Sequence, residues 1–474
     1  MRALLLLLPT TLCLAQPPAI NQEGVFNAAS RIPPSLPGGG LAPGARFVIR
    51  GLRFEAGSKV RIAGQDVRLL SVSPTEILAL MPPAPSAGYA EVTVSNSDGV
   101  SRPFRVRIVP AAFGFFSANG KSWGPAKMER PYLLTGTGLG GVRNPEVFVA
   151  GKPARVLRAG PRPGAPGIDE IEFAIPDGTP AGCFVPVLAR IPGGPVSNTV
   201  AVPVGECKET AIDSSVFLLL TRMSSHIRTF TERGIDFTQD FAAAVFAEPP
   251  AIAALLNPWR LRPPVGTCTA YTGPFYPSVD ESTLPGFFAD SVGDAGHAAG
   301  HVVLRGARAT VDLPQPSPGL YHDVIGADKS IYRAERPLVL SPGDFTLSWN
   351  SGTVHLAMPS LFSWTNASRI ATVTRSEGLT VEWKSREPMM GILVVNVDAD
   401  SASMGACFCL ATGSRFHVPP ESLANVPPGS REPGLPLSLV VLAPLPELQH
   451  LVAASGQNVL ALVTTLRAES VDFQ

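Results

Sequence analysis

Apolar and polar residues alternate in short runs between residues 46 and 109, and glycine, proline, asparagine or aspartate separates the runs. A period of two is typical of strands in an antiparallel sheet that bury one face. The pattern predicts six strands, at residues 47–49, 59–62, 67–72, 76–80, 90–94 and 104–109. Almost nothing in this stretch favours a helix, so we expect a compact all-β unit.

The residues before this unit have a different character. Residues 16–43 are polar and rich in proline and glycine, and they contain one short apolar group at residues 25–29. A segment of this composition has too few apolar residues for its own core. We therefore expect it to lie along the first unit.

A weaker copy of the same strand order follows at residues 132–204. Both copies contain an Ala-Gly turn followed by a valine-containing strand, then an isoleucine strand that ends at proline, and a last strand after a turn of Gly, Ser or Asn. The second copy differs by an insertion rich in proline and glycine at residues 159–167 and by two cysteines. The chain is therefore predicted to hold two β units in tandem.

The sequence of the first unit, VRIAGQDV followed by VSPTEILALMP and GYAEVTVSNSDGVS, resembles the IPT/TIG family of immunoglobulin-like domains. The resemblance covers both units. It implies two compact β-sandwiches, and the departures of the second copy are similar to tandem IPT-like segments in exported proteins of soil bacteria, where a separate β-rich region follows. The resemblance implies an architecture and a compartment, and no activity.

From residue 208 onward the pattern remains that of strands between proline and glycine turns. Predicted strands lie at residues 215–221, 237–246, 268–271, 301–304, 310–313, 345–349, 353–356, 379–383, 391–397, 406–411, 437–442 and 458–466. One short helical turn is predicted at residues 251–256. All-β domains of this size are ordinary, so we expect one large sandwich at 208–474 after immunoglobulin-like domains at 16–110 and 111–207.

The N-terminus has the pattern of an export signal. Arg2 precedes an apolar run at residues 3–14, and Ala15 stands at a suitable cleavage point. The run is shorter than the roughly 20 residues that span a bilayer, and prolines interrupt the most apolar later stretch. We therefore predict a signal peptide at 1–15, no transmembrane segment, and a secreted, cell-surface or periplasmic protein.

Export permits disulfides among the remaining five cysteines. Cys183 and Cys207 bracket the last strands of the second unit and are predicted to pair. Cys268 is predicted to pair with Cys409 or with Cys407, which lie two residues apart on one face of a strand. One thiol is then left over. A metal or redox role for the CxC pair is the alternative, but no second CxC or nearby histidine completes a ligand set.

Charge and motifs exclude several functions. Lys plus Arg and Asp plus Glu both number 38, so no net field attracts nucleic acid. Residues 136–141 fit GxGxxG, but the following Val-Arg-Asn-Pro cannot begin the helix that a dinucleotide site needs. We interpret these glycines as a tight turn, and we predict no cofactor.

Two further motifs resemble metal sites. His297 and His301 have the spacing of two ligands on a helix, but glycines surround them, which favours a loop. Asn396, Asp398 and Asp400 place oxygen atoms at alternate positions. They lack the glycine and glutamate of an EF-hand loop, so a strand end or turn is the favoured interpretation. No metal site is predicted.

Aromatic residues give the remaining route to a ligand. Trp349, Trp364 and Trp383 lie among predicted strands, where an exposed platform for a sugar ring is possible. A sandwich core is the favoured interpretation, because period-two placement puts Trp349 on one face with two apolar residues. No nucleophile motif or catalytic residue is identified. We expect an exported, non-catalytic protein whose Ig-like units act as spacers or adhesion modules toward a protein or glycan. The alternative is a secreted carbohydrate-directed hydrolase or carbohydrate-binding protein with its site in 208–474.

Overall fold

The computed structural model describes residues 16–83, 87–207, 212–228, 234–256, 263–274, 295–329, 335–398, 400–401, 403–429, 438–445 and 448–474. The predicted signal peptide lies outside these residues. The described chain is all-β, with three successive sandwiches. This architecture confirms the fold class expected from the alternating pattern, including two tandem immunoglobulin-like sandwiches.

The first sandwich packs two antiparallel sheets around a core of valine, isoleucine and phenylalanine. Its sheets have the orders β1-β2-β6-β5 and β4-β3-β7-β8, and β9 pairs with β7. Its nine strands are β1 (Ala19–Asn27), β2 (Arg46–Leu52), β3 (Lys59–Ile62), β4 (Gln65–Asp66), β5 (Arg68–Val72), β6 (Glu76–Leu80), β7 (Gly88–Asn96), β8 (Gly99–Val100) and β9 (Phe104–Ile108).

The N-terminal lead contributes more than a short apolar contact. Strand β1 pairs with β2, and the register shifts between Ile20 and Val25. The polar run between these two residues breaks the alternation, and Glu23 within it has a φ of 53°. The alternating pattern therefore failed to predict strand β1.

The second sandwich also packs two sheets around one core. Their orders are β10-β13-β17-β16, with β12 beside β13, and β11-β19-β18-β14-β15. The strands are β10 (Gly114–Phe115), β11 (Gly124–Pro125), β12 (Met128–Arg130), β13 (Leu133–Thr137), β14 (Glu146–Val149), β15 (Lys152–Ala154), β16 (Val156–Pro161), β17 (Asp169–Phe173), β18 (Gly182–Arg190) and β19 (Val200–Val204).

The C-terminal sandwich is built on one large sheet of order β22-β32-β31-β34-β36-β20-β21-β25, with β35 beside β36. Smaller sheets, β24-β23-β26-β27 and β28-β30-β33, lie over two separate cores on one face. A β29-β37 pair completes the β structure.

The described elements of this sandwich run from β20 to β37 and include two α-helices and a 3₁₀ turn (Ala367–Arg369). They are β20 (Val216–Arg228), β21 (Gly234–Phe246), α1 (Pro249–Leu255), β22 (Thr267–Pro274), β23 (Val303–Gly306), β24 (Thr310–Asp312), β25 (Leu320–Asp328), β26 (Gly343–Trp349), β27 (Gly352–Met358), β28 (Ser363–Trp364), β29 (Thr372–Val373), β30 (Leu379–Lys384), β31 (Met389–Asp398), β32 (Ser403–Thr412), β33 (Arg415–Val418), α2 (Pro420–Leu423), β34 (Leu439–Pro444), β35 (Gln449–Val452), β36 (Asn458–Ser470) and β37 (Asp472–Phe473).

The first two sandwiches meet through a buried polar contact. The Asn27 side-chain amide donates to Ala112 O at 2.9 Å and to Thr137 O at 3.1 Å. The Thr137 hydroxyl accepts from the backbone N–H of Arg46 and donates to Gly167 O. Because buried polar groups are costly without partners, this network fixes the angle between the two sandwiches.

The second sandwich also contacts the C-terminal sandwich. The Asn425 side chain donates to Ser197 O at 3.0 Å, and the Ser122 hydroxyl donates to Thr272 O at 2.5 Å. The Trp123 and Tyr271 rings meet edge to face at 5.7 Å. Thr272 and Tyr271 belong to β22, the edge strand of the large sheet, so the second sandwich covers this edge.

A buried ion pair links the long strands β20 and β21 to each other and to the segment at residues 339–340. Asp240 is fully buried and accepts two hydrogen bonds from Arg222, at 2.7 and 2.8 Å. The same carboxylate accepts from the backbone N–H groups of Val339 and Leu340. Four hydrogen bonds therefore hold this buried carboxylate.

We expect Asp240→Ala to destabilise the chain by about 3–5 kcal/mol, because it leaves the Arg222 guanidinium, 13% exposed, without its carboxylate. Urea unfolding followed by tryptophan fluorescence measures the loss. The matched control is Asp236→Ala on the same hairpin, where a 79% exposed carboxylate contacts His226 and little change is expected. Equal losses in the two variants would contradict this account of Asp240.

We expect Gly140→Ala to be more destabilising than Gly141→Ala. Both glycines have positive φ, 58° and 88°, so both substitutions carry the conformational cost of about 1–2 kcal/mol. Only at Gly140 would the new Cβ lie 1.8 Å from Pro110 O, whereas nothing lies within 4 Å of it at Gly141. Calorimetry compares the two midpoints, and equal midpoints would show that close approach of the backbones is unimportant.

Candidate functional site

A surface groove of about 500 Å³ lies on the second sandwich. It forms where the chain passes from β15, the last strand of one sheet, to β16, the last strand of the other. Residues 143–145, residues of the neighbouring strand β14 and Arg190 also line it. The site therefore lies at the open side of the sandwich, where two edge strands are adjacent.

The groove is lined by both apolar and charged side chains. The apolar ones belong to Pro145, Val147, Phe148, Pro153, Ala154, Val156 and Leu157, and Val147 also belongs to the buried core of the sandwich. The polar ones belong to Arg143, Asn144, Glu146, Arg158 and Arg190. Because Glu170 and Glu172 contact Arg158, and Glu146 and Glu421 contact Arg190, positive and negative charges are balanced around the groove.

Internal carboxylates hold two of the three guanidinium groups. Arg158 contacts Glu170, which is largely buried, at 2.6 Å. Arg190 contacts Glu146 at 2.5 Å and Glu421 of the C-terminal sandwich at 3.2 Å, and its guanidinium lies 5.0 Å from the centre of the Phe148 ring. These pairs fix where the two guanidinium groups lie.

Arg143 differs from the other two arginines. It makes no hydrogen bond or salt bridge within the described part of the chain, and it packs on Gly160 of β16. A Cβ at residue 160 would lie 2.2 Å from Arg143 Nη1, the far end of a flexible side chain that can move aside. The nearby Asp169 accepts hydrogen bonds from the N–H groups of Gly138 and Leu139, at 2.8 and 2.9 Å. The charge of Arg143 also acts on this carboxylate.

Asp169 lies beside the groove, and opposing effects act on the pKa of its carboxyl group. Burial raises the pKa of its carboxyl group, and the two backbone N–H bonds and the charge of Arg143 oppose this rise. The carboxylate thereby supports the glycine turn beside the groove rather than the groove itself.

Sequence reasoning missed this groove. The Val-Arg-Asn-Pro run at residues 142–145 served only as evidence against a helix, and the insertion at 159–167 only as a departure from the repeat. The grouping depends on register, because Glu146 lies opposite Arg190 across β14 and β18. The one available signal was a set of arginines beside proline and glycine in the second unit.

The disulfide predictions are confirmed. Cys183 pairs with Cys207, and Cys268 pairs with Cys409. The choice between Cys409 and Cys407 follows from register, because Cys268 lies opposite Cys409 across β22 and β32, whereas Cys407 lies opposite Ala270.

Cys407 is the remaining thiol. It is fully buried, its Sγ lies 3.7 Å from Cys409 Sγ, and burial raises its pKa to about 12. The three sulfur atoms lie within 4.8 Å of one another, but the disulfide uses two of them. A neutral, buried thiol is inert, so the arrangement has a structural role in this state.

The three tryptophans lie in buried cores, the arrangement that the sequence pattern favoured over an exposed platform. Trp349, Trp364 and Trp383 are 6%, 4% and 1% exposed, so neighbouring side chains cover their faces. Trp349 lies in one core of the C-terminal sandwich and the other two lie in the second core. Period-two placement puts these rings inside, which is the alternative that the pattern favoured.

The other motifs have structural roles. Gly138, Gly140 and Gly141 have positive φ in a turn after β13, as expected for the GxGxxG segment. His301 is 70% exposed and contacts Asp312 at 3.0 Å, outside any helix. Asn396 is buried and donates to the carbonyl groups of Pro427 and Pro428, so its side chain is used inside the fold.

No helix within the described residues is long and apolar enough to cross a membrane.

Comparisons with known proteins find only distant structural similarity. No family model matches the sequence, and no curated protein matches it. The chain is similar to the extracellular region of plexin A4 (14% identity, 38% of this chain, 18% of that chain, TM-score 0.18). It is also similar to titin domains A168–A170 (8% identity, 72% and 94%, TM-score 0.15).

A third similarity is to the surface glycan-binding protein SGBP-B of Bacteroides ovatus, solved with a mixed-linkage heptasaccharide (11% identity, 60% and 67% coverage, TM-score 0.20). The chain spans 18% of the plexin chain and 26% of a γ-CGTase chain. These TM-scores are too low to establish a shared fold. The fold is therefore assigned from the strand pairing of this chain.

We expect the Cys407 thiol to be unreactive in the folded chain at pH 8, because a group with a pKa of about 12 stays protonated there and is buried. Titration of the chain without residues 1–15, and hence without Cys13, with a chromogenic disulfide reagent should find no thiol before denaturation and one thiol per chain in denaturant. Cys407→Ala should give none under either condition. A rapidly reacting thiol in the folded wild type would contradict this placement.

Proposed function

We propose that this chain is an exported, non-catalytic binding protein of tandem IPT/TIG type, and that it holds its partner in the groove of the second sandwich. The observation that carries the proposal is the groove itself. Apolar side chains lie there beside three guanidinium groups, and carboxylates hold those of Arg158 and Arg190 in position. A concave surface with apolar side chains and a few polar groups in fixed positions is typical of a binding site.

Export is supported by the cysteines and the N-terminus. Two disulfides form, and such bonds persist in oxidising compartments. Residues 1–15 have the pattern of a signal peptide. We therefore place the mature chain outside the cytoplasm, with domains at 16–110, 111–207 and 208–474.

The contacts between the sandwiches support a role for the Ig-like units in holding the binding site, rather than a role as spacers. Asn27 ties the first sandwich to the second, and Asn425 and Glu421 tie the second to the C-terminal sandwich. Because Arg190 belongs to both the groove and this second contact, the C-terminal sandwich helps to position the rim. In this proposal the Ig-like units carry the site.

Several acidic side chains in residues 208–474 have basic partners. Asp236 contacts His226 and Asp240 contacts Arg222. Glu382 contacts Arg369 at 3.0 Å. With the tryptophans buried as well, no observation on the described residues favours the carbohydrate-directed alternative.

A screen of the full chain against peptide and glycan arrays tests the proposal, with retention and product release scored separately. We expect retention without product release. Leu157→Asp should reduce retention, because it places a negative charge in the groove at a side chain that is 51% exposed. Leu52→Asp, at a 49% exposed leucine of the first sandwich, is the matched control and should bind normally.

Product release would overturn the non-catalytic proposal. Retention that survives Leu157→Asp undiminished would move the site away from the groove.

A further inference from the structure

We propose that the contact between the N-terminal lead (residues 16–43) and the C-terminal sandwich responds to pH, and that protonation of the Glu23 carboxyl group strengthens it. This contact, called the lead contact, joins the first sandwich to the C-terminal one. It consists of Gln22, Glu23 and Gly38 on one side and Asp398, Asp400 and Asn425 on the other. None of these residues lines the groove.

An irregularity in β1 brings two polar side chains to the C-terminal sandwich. The register with β2 shifts between Ile20 and Val25, and Glu23 has a φ of 53°. A bulge of this kind turns side chains away from the regular alternation of a strand. The Gln22 amide donates to the carbonyl oxygen of Asp400 at 3.3 Å, and the neighbouring Glu23 side chain is half-buried. The polar run that interrupts the sequence pattern therefore forms part of a contact between sandwiches.

The lead contact also includes a close approach of the chain at Gly38. A Cβ at residue 38 would lie 2.1 Å from the Oδ1 atom of Asn425, which is buried. The amide group of Asn425 donates to Ser197 O of the second sandwich at 3.0 Å. All three sandwiches therefore meet at Asn425, and a change in the lead contact acts at this meeting point.

Burial disfavours the ionised form of Glu23. Its carboxylate accepts a hydrogen bond from the backbone N–H of Ser35 at 3.0 Å, and residues 32–45 around this donor carry no charge. Burial raises the pKa of Glu23 above its ordinary value of 4.5, the hydrogen bonds from Ser35 oppose this rise, and the charge of Asp398 adds to it. Since Asp398 ends β31, a like charge of the C-terminal sandwich acts on Glu23.

The other charges near Glu23 leave this effect in place. The charged side chains on the elements beside it are those of Arg31, Arg50, Asp398 and Asp400. Both arginines contact Glu76, at 4.0 and 3.3 Å, within the first sandwich. The charge that acts on Glu23 from the C-terminal sandwich is therefore negative.

The direction of the pH response follows from these effects. A carboxyl group with a raised pKa keeps its proton to a higher pH in the closed contact than it does when the contact opens and water reaches it. Lowering the pH through this range therefore stabilises the closed contact, and raising the pH weakens it. Below the ordinary value of 4.5 both forms are protonated, and the dependence on pH ends.

Hydrogen–deuterium exchange of the full chain at about pH 7.5 and about pH 5 tests the proposal, with labelling times scaled to the intrinsic exchange rate at each pH. We expect severalfold slower exchange at the lower pH in the peptides that contain Glu23 and Asp398. Glu23→Gln keeps an acceptor for the Ser35 N–H but removes the charge. It should exchange slowly in both peptides at either pH.

Two further variants separate the lead contact from general effects. Asp398→Asn removes the like charge but keeps the oxygen atom that accepts from the N–H groups of Asp400 and Ser401, so it should act in the same direction as Glu23→Gln. Glu91→Gln makes the same change at an exposed position on the other sheet of the first sandwich and should exchange like the wild type. Circular dichroism melting confirms that each variant folds.

Three results would overturn the proposal. The first is equal exchange of the wild type and Glu23→Gln at the higher pH. The second is slower exchange in Glu23→Gln that is confined to the peptide containing residue 23, since the effect would then belong to the first sandwich alone. The third is exchange in Asp398→Asn that matches the wild type at both pH values.

Discussion

Sheet edges impose the constraint on which this architecture depends. An uncovered edge strand presents unpaired N–H and C=O groups that attract other strands, so a folded chain must cover or guard each one. The large C-terminal sheet has edges at β22 and β25. The second sandwich covers β22 through Ser122, and the backbone of Arg336 exchanges two hydrogen bonds with Ala327 of β25. The edge strands β15 and β16 instead border the candidate groove.

Some residues contribute both to the candidate groove and to the contacts between the sandwiches. Arg190 lies on the groove rim, covers Phe148 and contacts Glu421 of the C-terminal sandwich. The glycine turn at residues 138–141 approaches the first sandwich closely, and Asp169 supports it from beside Arg143. The groove is therefore bounded by residues that also join the three sandwiches, and its shape follows from how they pack.

The sequence pattern predicted the strands better than it predicted their contacts. Period-two alternation placed most strands of the first sandwich within one or two residues, because each buries one face. It missed β1, where a polar run interrupts the pattern, and β25, whose sequence LYHDVIGAD mixes charged residues and glycine. It also left open which cysteine pairs with Cys268, since register across β22 and β32 decides that question.

The groove lay beyond sequence reasoning for the same reason. Arg143, Arg158 and Arg190 are separated along the chain, and only the pairing of β14 with β18 and the passage from β15 to β16 bring them together. Alternation also identifies a common face for Trp349 and its apolar neighbours without stating whether that face is covered, and the structure places all three tryptophans in buried cores. The covering of a face and the grouping of the arginines both depend on tertiary packing, which a local pattern does not encode.

Hydrogen–deuterium exchange of the full chain, alone and with a partner that it retains, tests the central claim most directly. The account predicts slower exchange confined to residues 143–161 and to the strand that contains Arg190. Slower exchange within residues 208–474, with the groove unchanged, would contradict it.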